Sequence, residues 1–101
     1  MIVYSVTINV EDDIHKEWLT WMKETHIPDV METGFFIDNR FLKVISHNAE
    51  ETGQTYNIQY SCPSMKDLHQ YQAHHAPRLQ KEHNDKFEGR FVAFRTLLEK
   101  A

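Results

Sequence analysis

Two stretches of the chain read alike: Thr25-His26-Ile27-Pro28 leading to Gly34-Phe35-Phe36, and His74-His75-Ala76-Pro77 leading to Gly89-Arg90-Phe91. Each follows a strand-like alternation opened by a tyrosine, Tyr4 in the first half and Tyr56 in the second, and then a helical pattern. Seven His and three Pro among 101 residues predict well under one His-x-Pro by chance, yet two stand at matching places. A tandem β-α-β duplication accounts for this, and duplicated β-α-β units build the split, ferredoxin-like arrangement. Right-handed crossovers put both helices on one face of a four-stranded antiparallel sheet. The expected class is α+β in the order βαββαβ, as a single domain over residues 1–101.

Working outward, Ile2, Tyr4, Val6, Ile8 and Val10 alternate with Val3, Ser5, Thr7 and Asn9, the period of a half-buried strand. Ile14, Trp18, Trp21, Met22 and Thr25 fall on one helical stripe. Pro28 is expected to interrupt that helix and open a short further turn, and Gly34 to end it. A second extended stretch runs from 35 to about 46, and the polar segment from Asn48 to Gly53 reads as a turn. Tyr56, Ile58, Tyr60 and Cys62 mark a third strand. Ser64 and Asp67 match the capping-box spacing that starts a helix, with Met65, Leu68, Gln72, His75 and Leu79 on its inner face. The last strand spans 90 to about 98.

If the tyrosine-bearing sides of the central strands face the helices, the open face shows Ser5, Thr7, Asn9, Asn57, Gln59 and Ser61. The edge strands are apolar on both sides, so large side chains such as Val92 and Phe94 or Phe91 and Leu97 reach that face whichever way they point. Apolar walls around a polar centre suit a face-to-face homodimer; a solvated sheet face is the simpler alternative.

Composition narrows the function classes. Hydrophobic residues are 41 % and charged ones 26 %, ordinary for a globular domain. A formal charge of −4 argues against nucleic acid as a partner. No apolar run nears the length of a membrane span, and the N-terminus reads as a strand rather than a signal peptide. Cys62, the single cysteine, excludes an internal disulfide and points to a reducing, cytoplasmic setting.

Histidine is the residue in excess. His74, His75 and His83 with Glu82 or Asp85 are poorly spaced for one ion, because adjacent helical residues diverge. No metal is expected, and these histidines read as surface groups. His26 and His75 each precede a proline break, where an imidazole can cap free carbonyls. His75, beside Leu68, Tyr71 and Leu79, is expected to be the more buried of the two. His26, next to Asp29, is expected to be the more accessible and is the candidate acid, base or ligand contact. Cys62 has no activating partner in sequence. With only Gly34, Gly53 and Gly89, there is no phosphate-binding loop. Trp18 and Trp21 read as core that can also flank an aromatic ligand. Arg95 can bind an anion or pair with a carboxylate across a dimer.

The motifs Glu17-Trp18-Leu19-x-Trp21-Met22, His26-Ile27-Pro28-Asp29-Val30-Met31-x-Thr33-Gly34-x-Phe36, His75-Ala76-Pro77-x-Leu79 and Phe87-x-Gly89-Arg90-Phe91 resemble a small bacterial family, domain of unknown function 4286. That family is similar to the dimeric α/β-barrel superfamily. The superfamily includes cofactor-independent monooxygenases, muconolactone-isomerase-like proteins and haem-degrading enzymes, and its ligand pockets tend to lie between helices and sheet. The resemblance implies the fold and a homodimer through the open sheet face, and it implies no particular activity. Two functions stay open. One is a homodimer that binds a small aromatic or acidic molecule, or another protein, through Trp18, Trp21, His75, Tyr60 and Arg95. The other is a cofactor-independent monooxygenase or isomerase-like enzyme on a small aromatic substrate, with His26 as base. No cofactor is expected.

Overall fold

The alternation at the N-terminus becomes strand β1 (Ile2–Val10), whose even-numbered side chains are buried from end to end. In the computed structural model, which describes residues 1–46 and 51–101, β1 is central. It pairs antiparallel with β3 (Gln54–Cys62) on one side and β4 (Phe91–Glu99) on the other, and β2 (Asp38–Lys43) adds to β3. The order β2-β3-β1-β4 is that of a ferredoxin-like sheet. Directly paired residues share a face. Tyr4 with Tyr60, Val6 with Ile58 and Ile8 with Tyr56 therefore present one apolar side, against which all the helices pack.

The first helical arm is α1 (His15–Trp21), a π-helical turn (Met22–His26) and α2 (Ile27–Glu32). Pro28 stands in the first turn of α2, as expected, but it does not break the arm, contrary to the expectation: Ile27 is helical at φ −62°, ψ −45°, and its N–H bonds the Met22 carbonyl five residues back. Proline lacks the N–H of an α-helical ladder, and its ring clashes with the carbonyl four residues earlier. The wider turn accommodates both problems without a break. Gly34, at φ +82°, then ends the arm as expected.

The second arm is α3 (Met65–His74) and α4 (Ala76–Lys86). Ser64 accepts the Asp67 N–H at 3.2 Å, but the reciprocal half of the box differs, since the Asp67 carboxylate takes the Ser64 hydroxyl at 3.1 Å. The buried stripe is Leu68, Tyr71, Ala76, Leu79 and His83, not Met65, Gln72 and His75; the non-helical backbone of His75, at φ −126° and ψ −39°, resets the phase between α3 and α4. β2 is shorter than the expected stretch from 35 to about 46. Phe36 leaves the strand path to stack among Tyr4, Tyr60 and Tyr71. Of the expected turn from Asn48 to Gly53, residues 48–50 lie outside the described residues, as does His47.

On the open face, Asn57 Nδ2 donates to Ser5 Oγ at 2.8 Å and Thr7 Oγ1 at 3.1 Å. Flanking this polar centre, Val92 is 70 %, Phe94 63 % and Leu42 44 % exposed. Register sets all three on this side, opposite Asn9, Thr7 and Asn57. Among the described residues, no helix is long and apolar enough to cross a membrane.

Two glycines separate strain from collision. Both Gly34 and Gly53 have positive φ, but a Cβ on Gly34 meets open space, whereas one on Gly53 runs into the Val10 carbonyl oxygen. Gly34→Ala should cost about 1 kcal/mol from backbone conformation alone. Gly53→Ala should cost about 3 kcal/mol, since β1 and the start of β3 must also move apart. Urea unfolding of both variants measures the difference; equal losses would show that the contact with β1 yields freely.

Candidate functional site

Trp18 is completely buried, and an indole N–H there must find an acceptor. It donates to Nε2 of His83 on α4 at 2.9 Å. That bond assigns the neutral His83 its proton at Nδ1. Around it lies a cluster of rings: Trp21 sits 5.1 Å from His26 and 5.5 Å from His83, and the two imidazoles are 5.5 Å apart. Phe87 and Phe91 close on His83 at 6.0 and 4.0 Å.

His26 leaves the π-helical turn and lines a cavity of about 30 Å³ between the helical arms and the sheet. Tyr4, Val6 and Tyr60 form its floor, Met22, Tyr71 and Leu79 its roof, and Arg95 closes one end. Arg95 Nε donates to the Tyr4 hydroxyl at 3.0 Å. The Nδ1 atom of His26 is fully enclosed and has no hydrogen-bond partner. An enclosed polar atom of this kind needs either a water or a ligand atom.

The electrostatics follow from burial. Desolvation is the main cause that lowers His26 to about 4; the charge of Arg95 adds to it, and Asp29 opposes it. His83 falls further, to about 3, through desolvation first and then the charges of His26 and Arg95. Both imidazoles are therefore neutral at pH 7. Tyr60 and Tyr71 are pushed above the ordinary phenol range by the same burial, so the cavity wall is polar and uncharged apart from Arg95. Burial likewise raises the Cys62 thiol, which donates to the Ser64 carbonyl at 3.4 Å.

The expected site residues separate into two groups. His26, Tyr60 and Arg95 meet at the cavity. Arg95 stands opposite Val6 on the helix side, so it does not reach across the open face to a partner's carboxylate. Trp18 and Trp21 lie behind the imidazoles rather than in the cavity wall. His75 is outside it altogether: it stacks on Phe35 at 5.6 Å and lines a surface recess with Asp29, Glu32 and Arg78. The expected order of burial is not found: both rings are half-buried, and it is His26, not His75, whose Nδ1 is enclosed. Nor do the two rings act as twin caps. Among the described residues neither is seen to donate to a helix-end carbonyl, and the first arm continues past His26 instead of ending there. His83, read as a surface histidine, is the buried one. Its signal was the spacing Leu79, His83, Phe87, one helical stripe. Among the described residues, no three His, Cys, Asp or Glu side chains are grouped to hold a metal ion.

Over residues 1–101 the sequence matches the family described as Domain of unknown function (DUF4286), and the chain belongs to that family. No curated protein matches it. Among solved structures, an EthD-family protein from Bacillus halodurans superposes with a TM-score of 0.74 at 13 % identity, covering 100 % of both chains. An antibiotic biosynthesis monooxygenase gives 0.67 at 12 % identity, covering 100 % of this chain and 99 % of that one. A variant of MhuD with two manganese protoporphyrin IX molecules bound per active site gives 0.68 at 13 %, covering 100 % and 95 %. At these identities the likeness shows the fold.

Two depressed imidazoles make stability depend on pH. Below 6.5 the unfolded histidines take up protons that the folded ones refuse, so the unfolded state binds more protons and stability falls with pH. The stabilisation is complete above pH 6.5 and is lost progressively toward pH 4 for His26 and pH 3 for His83. Going from pH 6.5 to 5, the two together should remove about 3 kcal/mol. His83→Gln keeps an acceptor for Trp18 and should roughly halve that slope in urea unfolding at several pH values; an unchanged slope would mean that His83 is not neutral in the fold.

Proposed function

We propose that this DUF4286 chain is a homodimeric small-molecule-binding domain, with the ligand reaching the cavity between helices and sheet at His26. The observation that carries the binding reading is the Nδ1 of His26, the one enclosed side-chain polar atom among the described residues that has no hydrogen-bond partner. Only one end of a ligand enters a cavity of about 30 Å³, and the positive charge of Arg95 suits an aromatic or acidic molecule whose polar end reaches His26. The porphyrin of the MhuD structure is not carried over, since about 30 Å³ has no room for a macrocycle. The dimer reading is supported by Val92, Phe94 and Leu42 around the polar centre of the open face. A stable pair buries about 1,600 Å² in all.

A second reading is catalytic: a cofactor-independent monooxygenase or isomerase-like enzyme on a small aromatic substrate, with His26 as the base. The same nitrogen supports it, because a neutral imidazole is free to accept a proton at pH 7. Its low pKa makes it a weak base at rest. An anionic substrate beside it would raise that value and strengthen it. Solvent deuterium entering a bound carbonyl compound, and failing to enter with His26→Phe, would establish this role.

Light scattering should give about twice the 12.0 kDa chain mass, and the double variant Val92→Lys/Phe94→Lys should give the monomer with its helical signal intact. A native chain that stays monomeric at high concentration removes the dimer. For the cavity, phenol, indole and benzoate serve as probes in an NMR titration. At least one should move the His26 ring resonances with saturation, and His26→Phe should abolish that binding. No movement with any of them would refute the cavity as a binding site.

A further inference from the structure

The cavity at His26 has room for a water or two, so the body of any ligand that reaches it must lie elsewhere. A hollow of about 450 Å³ opens beside it, between α4 and the edge strand β4, within the size range of small-molecule sites. Gln80, Ala93 and Arg95 line both spaces and form their common wall. Phe91 flanks the outer hollow and touches the His83 ring at 4.0 Å, tying it to the imidazole pair. Arg95 has the Tyr4 hydroxyl as its hydrogen-bond partner and, among the described residues, no carboxylate within salt-bridge distance.

We propose that the groove between α4 and β4 binds a small, planar monocarboxylate that carries a hydroxyl group, with the carboxylate on Arg95 and the hydroxyl extended to Nδ1 of His26. The proposal rests on the reading of the His26 cavity as a ligand site. The guanidinium gives its Nε–H to the Tyr4 hydroxyl and keeps further N–H donors for a charge-assisted pair with a carboxylate. A hydroxyl both donates and accepts, so it satisfies Nδ1 whichever imidazole nitrogen holds the proton. Phe91 and Ala93 offer a flat apolar wall to a planar body. Glu88 also lines the groove and disfavours any negative charge beyond the one that Arg95 pairs, which favours a monoanion over a dianion.

The probe is 4-hydroxybenzoate, titrated by NMR and calorimetry against its methyl ester and against phenol. The acid should shift resonances of Gln80, Arg95 and the His26 ring together, and the ester should bind at least tenfold more weakly. Arg95→Gln should weaken the acid by tenfold or more, and Arg95→Lys should restore part of that loss. Asn84→Trp, on the exposed side of α4, should block the groove without lowering the melting temperature. Acid and ester binding alike, or Arg95→Gln binding the acid as the native chain does, would overturn the carboxylate assignment. If phenol moves His26 while the acid shows no preference, the cavity reading stands and this proposal falls. If no probe moves His26, both fall.

Discussion

A single enclosed hydrogen bond, Trp18 Nε1–H to His83 Nε2, joins the two helical arms behind the sheet. Burying an indole N–H without an acceptor costs on the order of 1–3 kcal/mol, so α1 and α4 must keep their relative height for the bond to survive. The bond also has an electrostatic requirement. Burial, with the charges of His26 and Arg95, disfavours the His83 cation, and only the neutral ring has an Nε2 lone pair to accept from Trp18. Burial likewise keeps His26 neutral. The same enclosure that holds the helical arms together thus leaves the inner cavity with two uncharged imidazoles.

The two halves show how far a duplication constrains a fold. Both carry His-x-Pro after a helix, and both place that helix on the same face of the sheet. At the first proline, however, the backbone widens and continues; at the second, it turns, with His75 at φ −126°, ψ −39°, and starts a new helix. The same His-x-Pro pattern thus leaves one imidazole with an enclosed nitrogen at the inner cavity and the other beside a surface recess. What differs is the neighbourhood: Trp21 and His83 cover His26, whereas Phe35 and Tyr71 give His75 only a flat support.

The sheet was legible in the sequence because a period of two residues is a local property, and each tyrosine-bearing strand declared its inner side. Gly34 and Ser64 were legible for the same reason, as signals read within a few residues. The burial of His83 was readable in the stripe Leu79, His83, Phe87, but its hydrogen-bond partner Trp18 stands sixty-five positions earlier, and no local pattern encodes that pairing. The side on which Arg95 stands was open for a related reason. An edge strand apolar on both sides hides its own register, and pairing with Val6 decides it. Phe36 left its strand because three tyrosine rings offer a better-packed position than an edge does.

The π-helical turn at Met22–His26 holds its place by number rather than by touch. A π turn is an α-helix with one residue too many, and removing that residue would let the ladder close in ordinary α geometry. Because the wider turn absorbs the extra residue, everything after it would keep its phase relative to α1, with Ile27 and Val30 still toward the core. What would be lost is the width in which Pro28 stands without breaking the arm. The extra residue and the proline are therefore one feature of the fold, and neither is accommodated well without the other.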